Sequence, residues 1–268
     1  MITVELRKLL TRPRTWITIG LIDALPTLVA VLLALTDLGP RPGTGPAFLS
    51  AVLNDGTLFP LAALAMVLPL FLPVAVALVA GDAIAGEAQT GTLRYLLVRP
   101  VGRTTLLIAK LVSVIAFVLL TVLVVAGTAY VTGALLLGDA PLSSSVSGTS
   151  LTQQELAWRT VLALGYAVLA MLGVAAIALF MSTLTDSPQG AAMGALAFLI
   201  SSTLLLTLDA ANGLDPYLPT RYWLAFVDLF RDPILWRDVV RGLLQQGIYV
   251  AVSLGAAWAN FTTRDITS

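Results

Sequence analysis

Neither cysteine nor histidine occurs among the 268 residues, and charged side chains make up only 11% of them. Without thiols there is no disulfide framework and no thiolate nucleophile; without imidazole the usual zinc ligands and the usual general base are missing. The sparse charge is balanced, fifteen basic against fifteen acidic residues, so no basic patch of the kind that binds nucleic acid is expected. A soluble domain carries about 25% charged residues, and this chain is not composed like one. The alternation of an outer-membrane barrel strand is also absent. The opening MITVELRKLLTRPRTW lacks the short apolar core and small-residue cleavage site of a signal peptide. It is expected to remain on the mature protein.

What the chain does have is apolar sequence, 58% of all residues, in blocks near the roughly 20 that cross a bilayer as a helix. An all-α, polytopic membrane fold follows, with one domain over 1–268 and six spans near 16–35, 58–80, 105–137, 158–181, 190–208 and 242–259. Residues 1–15 read as an amphipathic helix on the membrane surface, Ile2, Leu6, Leu9 and Leu10 on one side and Glu5, Arg7 and Lys8 on the other. The third block is longer than a bilayer needs, so it is expected to tilt or to begin below the membrane near Lys110. Between the fifth and sixth spans, a segment rich in Tyr, Trp, Pro and balanced charge predicts helices lying at, or dipping into, the outer interface.

The segment 81–103, GDAIAGEAQTGTLRYLLVRPVGR, interrupts the apolar sequence. Its charged side chains need water or partners. Asp82 is placed to cap a short helix that Gly91 ends. Thr90 or Thr92 would then cap a second turn with Leu93, Leu96 and Leu97 on one face, stopped by Pro100. Arg7, Lys8, Arg12, Arg14, Arg94, Arg99, Arg103, Lys110 and Arg264 fall on the same side as this segment. Arg41, Arg159, Arg221, Arg231, Arg237 and Arg241 fall on the other. The excess puts both termini and the segment in the cytosol.

These residues resemble a known family. Glu5 through Trp16, the stretch Gly81 to Leu111 with its acidic helix, Gly-Thr-Leu and Pro-x-x-Arg turn, and the tail Phe261-Thr-Thr-Arg-Asp-Ile266 are similar to the ABC type-2 membrane family. These are permease subunits with the type V exporter fold. A second basic residue often found before the tail arginine is Thr263 here. The resemblance implies a multi-pass permease of a prokaryotic plasma membrane that does no chemistry itself. Two copies, a homodimer by default, would form the path for an exported substrate of unread identity. ATP and Mg would be bound by a separate cytosolic ABC ATPase, in keeping with the absence of a Gly-x-x-x-x-Gly-Lys loop here. The helix after the second span would dock in a groove of that ATPase through Asp82, Glu87, Thr90, Gly91, Thr92, Leu93 and Arg94.

Other residues invite separate readings. Asp23, about two turns into the first span, is a candidate for the pathway or for a cation, or reaches the interface or a neighbouring hydroxyl. Pro69 and Pro73 permit kinks in the second span. Ser201 and Ser202 either line a polar path or join helices. An ion-coupled secondary transporter and a non-transporting membrane anchor are the alternatives to an ATP-driven permease. An intramembrane protease lacks a second aspartate opposite Asp82 and a histidine base.

Overall fold

The computed structural model describes residues 1–36, 56–91, 102–137, 151–208 and 213–263, and every regular element among them is helical. Helix α1 covers Ile2–Thr11 and α2 covers Pro13–Leu35. Arg12 between them is extended, and Pro13 opens α2 where its missing N–H has no helical partner to lose.

The second traverse comes in two pieces. A 3-10 turn, Gly56–Leu58, leads into α3, Phe59–Val67, and α4 then runs Phe71–Gln89. The expected span over 58–80 therefore contains a break, where Pro69 and Pro73 permit a kink. Neither Pro69 nor Pro73 has an N–H to offer the carbonyl four residues back, and the helix breaks at 68–70. The separate helix capped by Asp82 is corrected. Asp82 lies inside α4, which meets no proline after Pro73 and continues to Gln89.

Helix α5, Arg103–Leu136, is continuous over 34 residues, about 51 Å of helix against a hydrocarbon core of about 30 Å. Helix α6, Gln153–Leu184, starts with a capping box in which Thr152 and Glu155 satisfy each other's backbone N–H. Helix α7 covers Pro188–Leu205, N-capped by Ser187, and α8 covers Trp236–Thr263. Gly81 of α4 has no side chain because the backbone of α7 occupies the space; a Cβ there would stand 2.9 Å from the Ala192 nitrogen.

Between α7 and α8 the described residues form two short 3-10 helices, Asp215–Tyr217 and Ala225–Phe230. Pro216, Pro219 and Pro233 remove donors across this stretch, which discourages a regular helix. The second turn is nonetheless well packed, with Phe226 and Phe230 fully buried against the bundle.

Five helices among the described residues are long and apolar enough to cross a membrane: Pro13–Leu35, Phe71–Gln89, Arg103–Leu136, Gln154–Leu184 and Pro188–Leu205. The chain is a helical membrane protein. The stretch 242–259 lies within α8, whose early turns carry Arg237, Asp238, Arg241, Gln245 and Gln246 and are correspondingly less apolar. Helix α6 is central, packed on α4 and α8 through buried Ala163, Ala167, Ala170, Val174 and Ala178. Small side chains at this spacing let helices approach closely, which matters where hydrocarbon supplies no hydrophobic drive between them.

Candidate functional site

The polar residues of the described chain gather at the two ends of the bundle. At the end that carries α1, three helices meet through buried charge. Glu5 and Lys8 lie one turn apart on α1, with Leu9 beside them, and this face turns toward the bundle. Ile2 and Leu10 are exposed on the outside. The expected division of α1 into an apolar and a charged face is therefore corrected. Leu9 sides with the charges because they have partners inside.

Those partners are Glu87, near the end of α4, and Lys110, two turns into α5. Lys110 is only 4% exposed. Its Nζ donates to Glu5 Oε2 at 3.1 Å and also to Glu87 Oε1. Lys8 Nζ reaches the same Glu87 oxygen at 3.0 Å. A buried ammonium is tolerable only when paired and hydrogen-bonded, and here two carboxylates face two ammonium groups. A looser pair lies nearby, Arg14 with Asp82 at 3.4 Å, the arginine side chain 62% exposed. Between α1, α2, α4 and α5 these residues line a cleft of about 560 Å³.

A second tie holds α4 to α6. Ser182 is fully buried, donates to the Gly81 carbonyl at 2.6 Å and accepts from the N–H groups of Ile84 at 3.1 Å and Ala85 at 2.9 Å. The serine hydroxyl thus inserts beside the backbone ladder of α4 over the turn that carries Asp82. Helix α4 ends at Gln89, and two residues on Gly91 takes φ 68° while its N–H returns to the Ala88 carbonyl at 3.0 Å. Only glycine adopts that conformation without steric cost.

Of the residues proposed for docking, Glu87 is buried in the charge network, Asp82 is half-buried, and Thr90 and Gly91 are exposed at the helix end. Thr92, Leu93 and Arg94 lie outside the described residues. The sequence puts Lys110 at the start of the third span but does not show that Glu5 meets it or that Lys8 meets Glu87. Their spacing in α1 was the available signal, a turn of helix with opposite charges and a leucine.

The proposed pathway residues do not come together. Asp23 accepts a hydrogen bond from Thr128 of α5. Pro69 is exposed in the break before α4, and Pro73 is buried in the first turn of that helix. Ser202 is buried and shares a hydrogen bond of 2.8 Å with Thr220, joining α7 to the 3-10 segment, whereas Ser201 is exposed.

At the far end, side chains serve the carbonyls of the irregular segment, which have no ladder of their own. Gln245 Nε2 donates to the Pro216 and Leu218 carbonyls at 3.0 and 2.8 Å, and Gln246 Nε2 to that of Pro219 at 2.7 Å. Tyr166 donates to the Tyr222 carbonyl at 2.6 Å. The guanidinium of Arg159, stacked on Trp158 at 5.4 Å, donates to the carbonyls of Leu229 at 3.1 Å and Arg231 at 2.9 Å. None of these roles was read from the sequence.

At the α1 end, charges and the Ser182 hydroxyl tie α1, α4, α5 and α6 to one another beside an exposed helix end. No group of three or more Asp or Glu residues gathers as a metal site among the described residues. No curated protein matches the chain. A family profile does, over residues 39–267. That match takes in the helices from α3 to α8, and the chain belongs to the family described as a protein of unknown function (DUF2705).

Proposed function

We propose that the chain is the membrane-spanning permease subunit of an ATP-driven exporter of the ABC type-2 kind. It works as a dimer in a prokaryotic plasma membrane, with α8 as a sixth span and both termini in the cytosol. A separate cytosolic ATPase binds ATP and Mg. The observation that carries the reading is the course of α4, which passes from apolar surroundings straight into its polar last turns and stops at Gly91 with an exposed end. A partner gripping that end moves the whole helix, because a helix is stiff along its axis. The clasp of Glu87 with Lys110 and Lys8 passes the displacement to α5 and α1. This is a two-state element that an outside partner can bias.

The test uses the chain reconstituted in vesicles with the ATPase that copurifies with it. Gly91→Val sets a β-branched residue at φ 68°, a strain of about 1–2 kcal/mol, at the docking end and away from the buried network. Retained ATP hydrolysis with lost export is the expected result. Export at the native rate, or the absence of any copurifying ATPase, overturns the proposal.

A further inference from the structure

We infer that Asp23 and Thr128 form a proton-binding site at the middle of α2, in which one hydroxyl can stay hydrogen-bonded to the carboxyl both with and without its proton. The inference does not depend on the exporter reading.

Depth comes first. Asp23 follows Pro13, the first residue of α2, by about 15 Å of helix and precedes its last residue, Leu35, by about 18 Å. It therefore lies near the middle of α2. A carboxyl at such depth is costly and marks a site that uses it.

The hydrogen bonding explains how it is kept. Thr128 Oγ1 is bonded to Asp23 Oδ1, and the same oxygen lies 2.9 Å from the carbonyl of Val124 on its own helix. A hydroxyl has one proton to give and two lone pairs to receive. When Asp23 is ionised, Thr128 donates to it, and Val124 keeps its ordinary helical bond. When Asp23 carries its proton, the carboxyl donates to Thr128 Oγ1, and the threonine proton turns to Val124. The bond between Thr128 and Asp23 Oδ1 is kept in both arrangements, and only the hydroxyl proton turns.

The surroundings select a proton. Asp23 takes part in no ion pair among the described residues. Helix α3, packed on α2, carries no titratable residue. On α5, Lys110 and Arg103 lie about 27 Å or more from Thr128 along the axis, and Tyr130 is exposed on a different face. On α1 and in the last turns of α4, Glu5, Lys8, Asp82 and Glu87 are held in ion pairs of the end cluster, as is Arg14, and Arg7 is exposed at the same end. One carboxylate oxygen and one hydroxyl are too few ligands for a metal cation. The site takes a single proton, and with it the charge held between α2 and α5 changes.

Infrared difference spectra of the full chain in lipid vesicles, wild type minus Asp23→Asn, read the carboxyl directly. The expected result is a protonated-carboxyl band that is present at low pH and lost as the pH is raised. Thr128→Ser should keep that titration, and Thr128→Val, which leaves the carboxylate without a donor, should move its midpoint by about one pH unit or more. A band constant over the whole range, no band at any pH, or a Thr128→Val protein titrating like wild type overturns the inference.

Discussion

Replacing Lys110 by methionine tests the charge junction most directly. Methionine keeps the length and apolar stem of lysine and deletes only the ammonium. Glu5 and Glu87, whose side chains are 11% and 10% exposed, would then face each other with one cation fewer. Removing one partner from a buried pair costs about 3–5 kcal/mol, because the remaining charge stays desolvated. Lys8 still reaches Glu87 at 3.0 Å, but it is 35% exposed and better screened, so a loss near the lower figure, about 3 kcal/mol, is expected. Thermal unfolding of the purified chain in one detergent reads the effect. Combining Lys110→Met with Glu87→Gln and Glu5→Gln should recover at least half of the loss, since the uncompensated charges go with it. The exposed pair supplies a control: Arg14→Gln should change stability by less than about 1 kcal/mol. A Lys110→Met protein as stable as wild type, or a triple variant less stable than the single one, would refute the claim that these charges tie α1, α4 and α5 together.

Two further outcomes follow from packing. At Gly133 of α5 a Cβ would run into the Gly56 carbonyl and stand 2.7 Å from Phe59 Cβ; Gly133→Ala should cost about 1–3 kcal/mol. Gly165→Ala on α6, where nothing lies within 4 Å, should be neutral or stabilise by up to about 1 kcal/mol, read in the same unfolding assay. The paired change of Gln245 and Gln246 to leucine strips the donors from the carbonyls of Pro216, Leu218 and Pro219. Amide hydrogen exchange at 217–224 should accelerate while exchange in α6 does not, and unchanged exchange would count against the role given to the glutamines.

The helices were legible because their signal is local. Runs of apolar residues bounded by proline, glycine or charge located α2, α5, α6 and α7 to within a few residues, and Gly91 was recognisable as a stop from its type alone. Two kinds of feature were not legible. The first is how proline acts: the lone Pro26 is carried inside α2, whereas at Pro69, with Pro73 a turn later, the helix breaks. The second is pairing at long range. Glu5 and Lys110 are brought together by the fold across more than a hundred positions, and Ser182 finds the backbone of α4 across about as many. Asp82 drew attention because acids in apolar sequence are conspicuous, yet the more deeply held acid is Glu87, whose partners lie on other elements.

The break at 68–70 has a mechanical meaning of its own. Upstream, α3 is wedged almost without exposed surface, Phe59, Ala62, Ala63 and Leu64 all fully covered; downstream, Leu70 and Phe71 open outward. On the proposed reading, force applied at Gly91 would travel up α4 and arrive at this break. Flexing there sacrifices no main-chain bond that the two prolines had not already forgone, so the lower shaft can swing while the upper block stays seated.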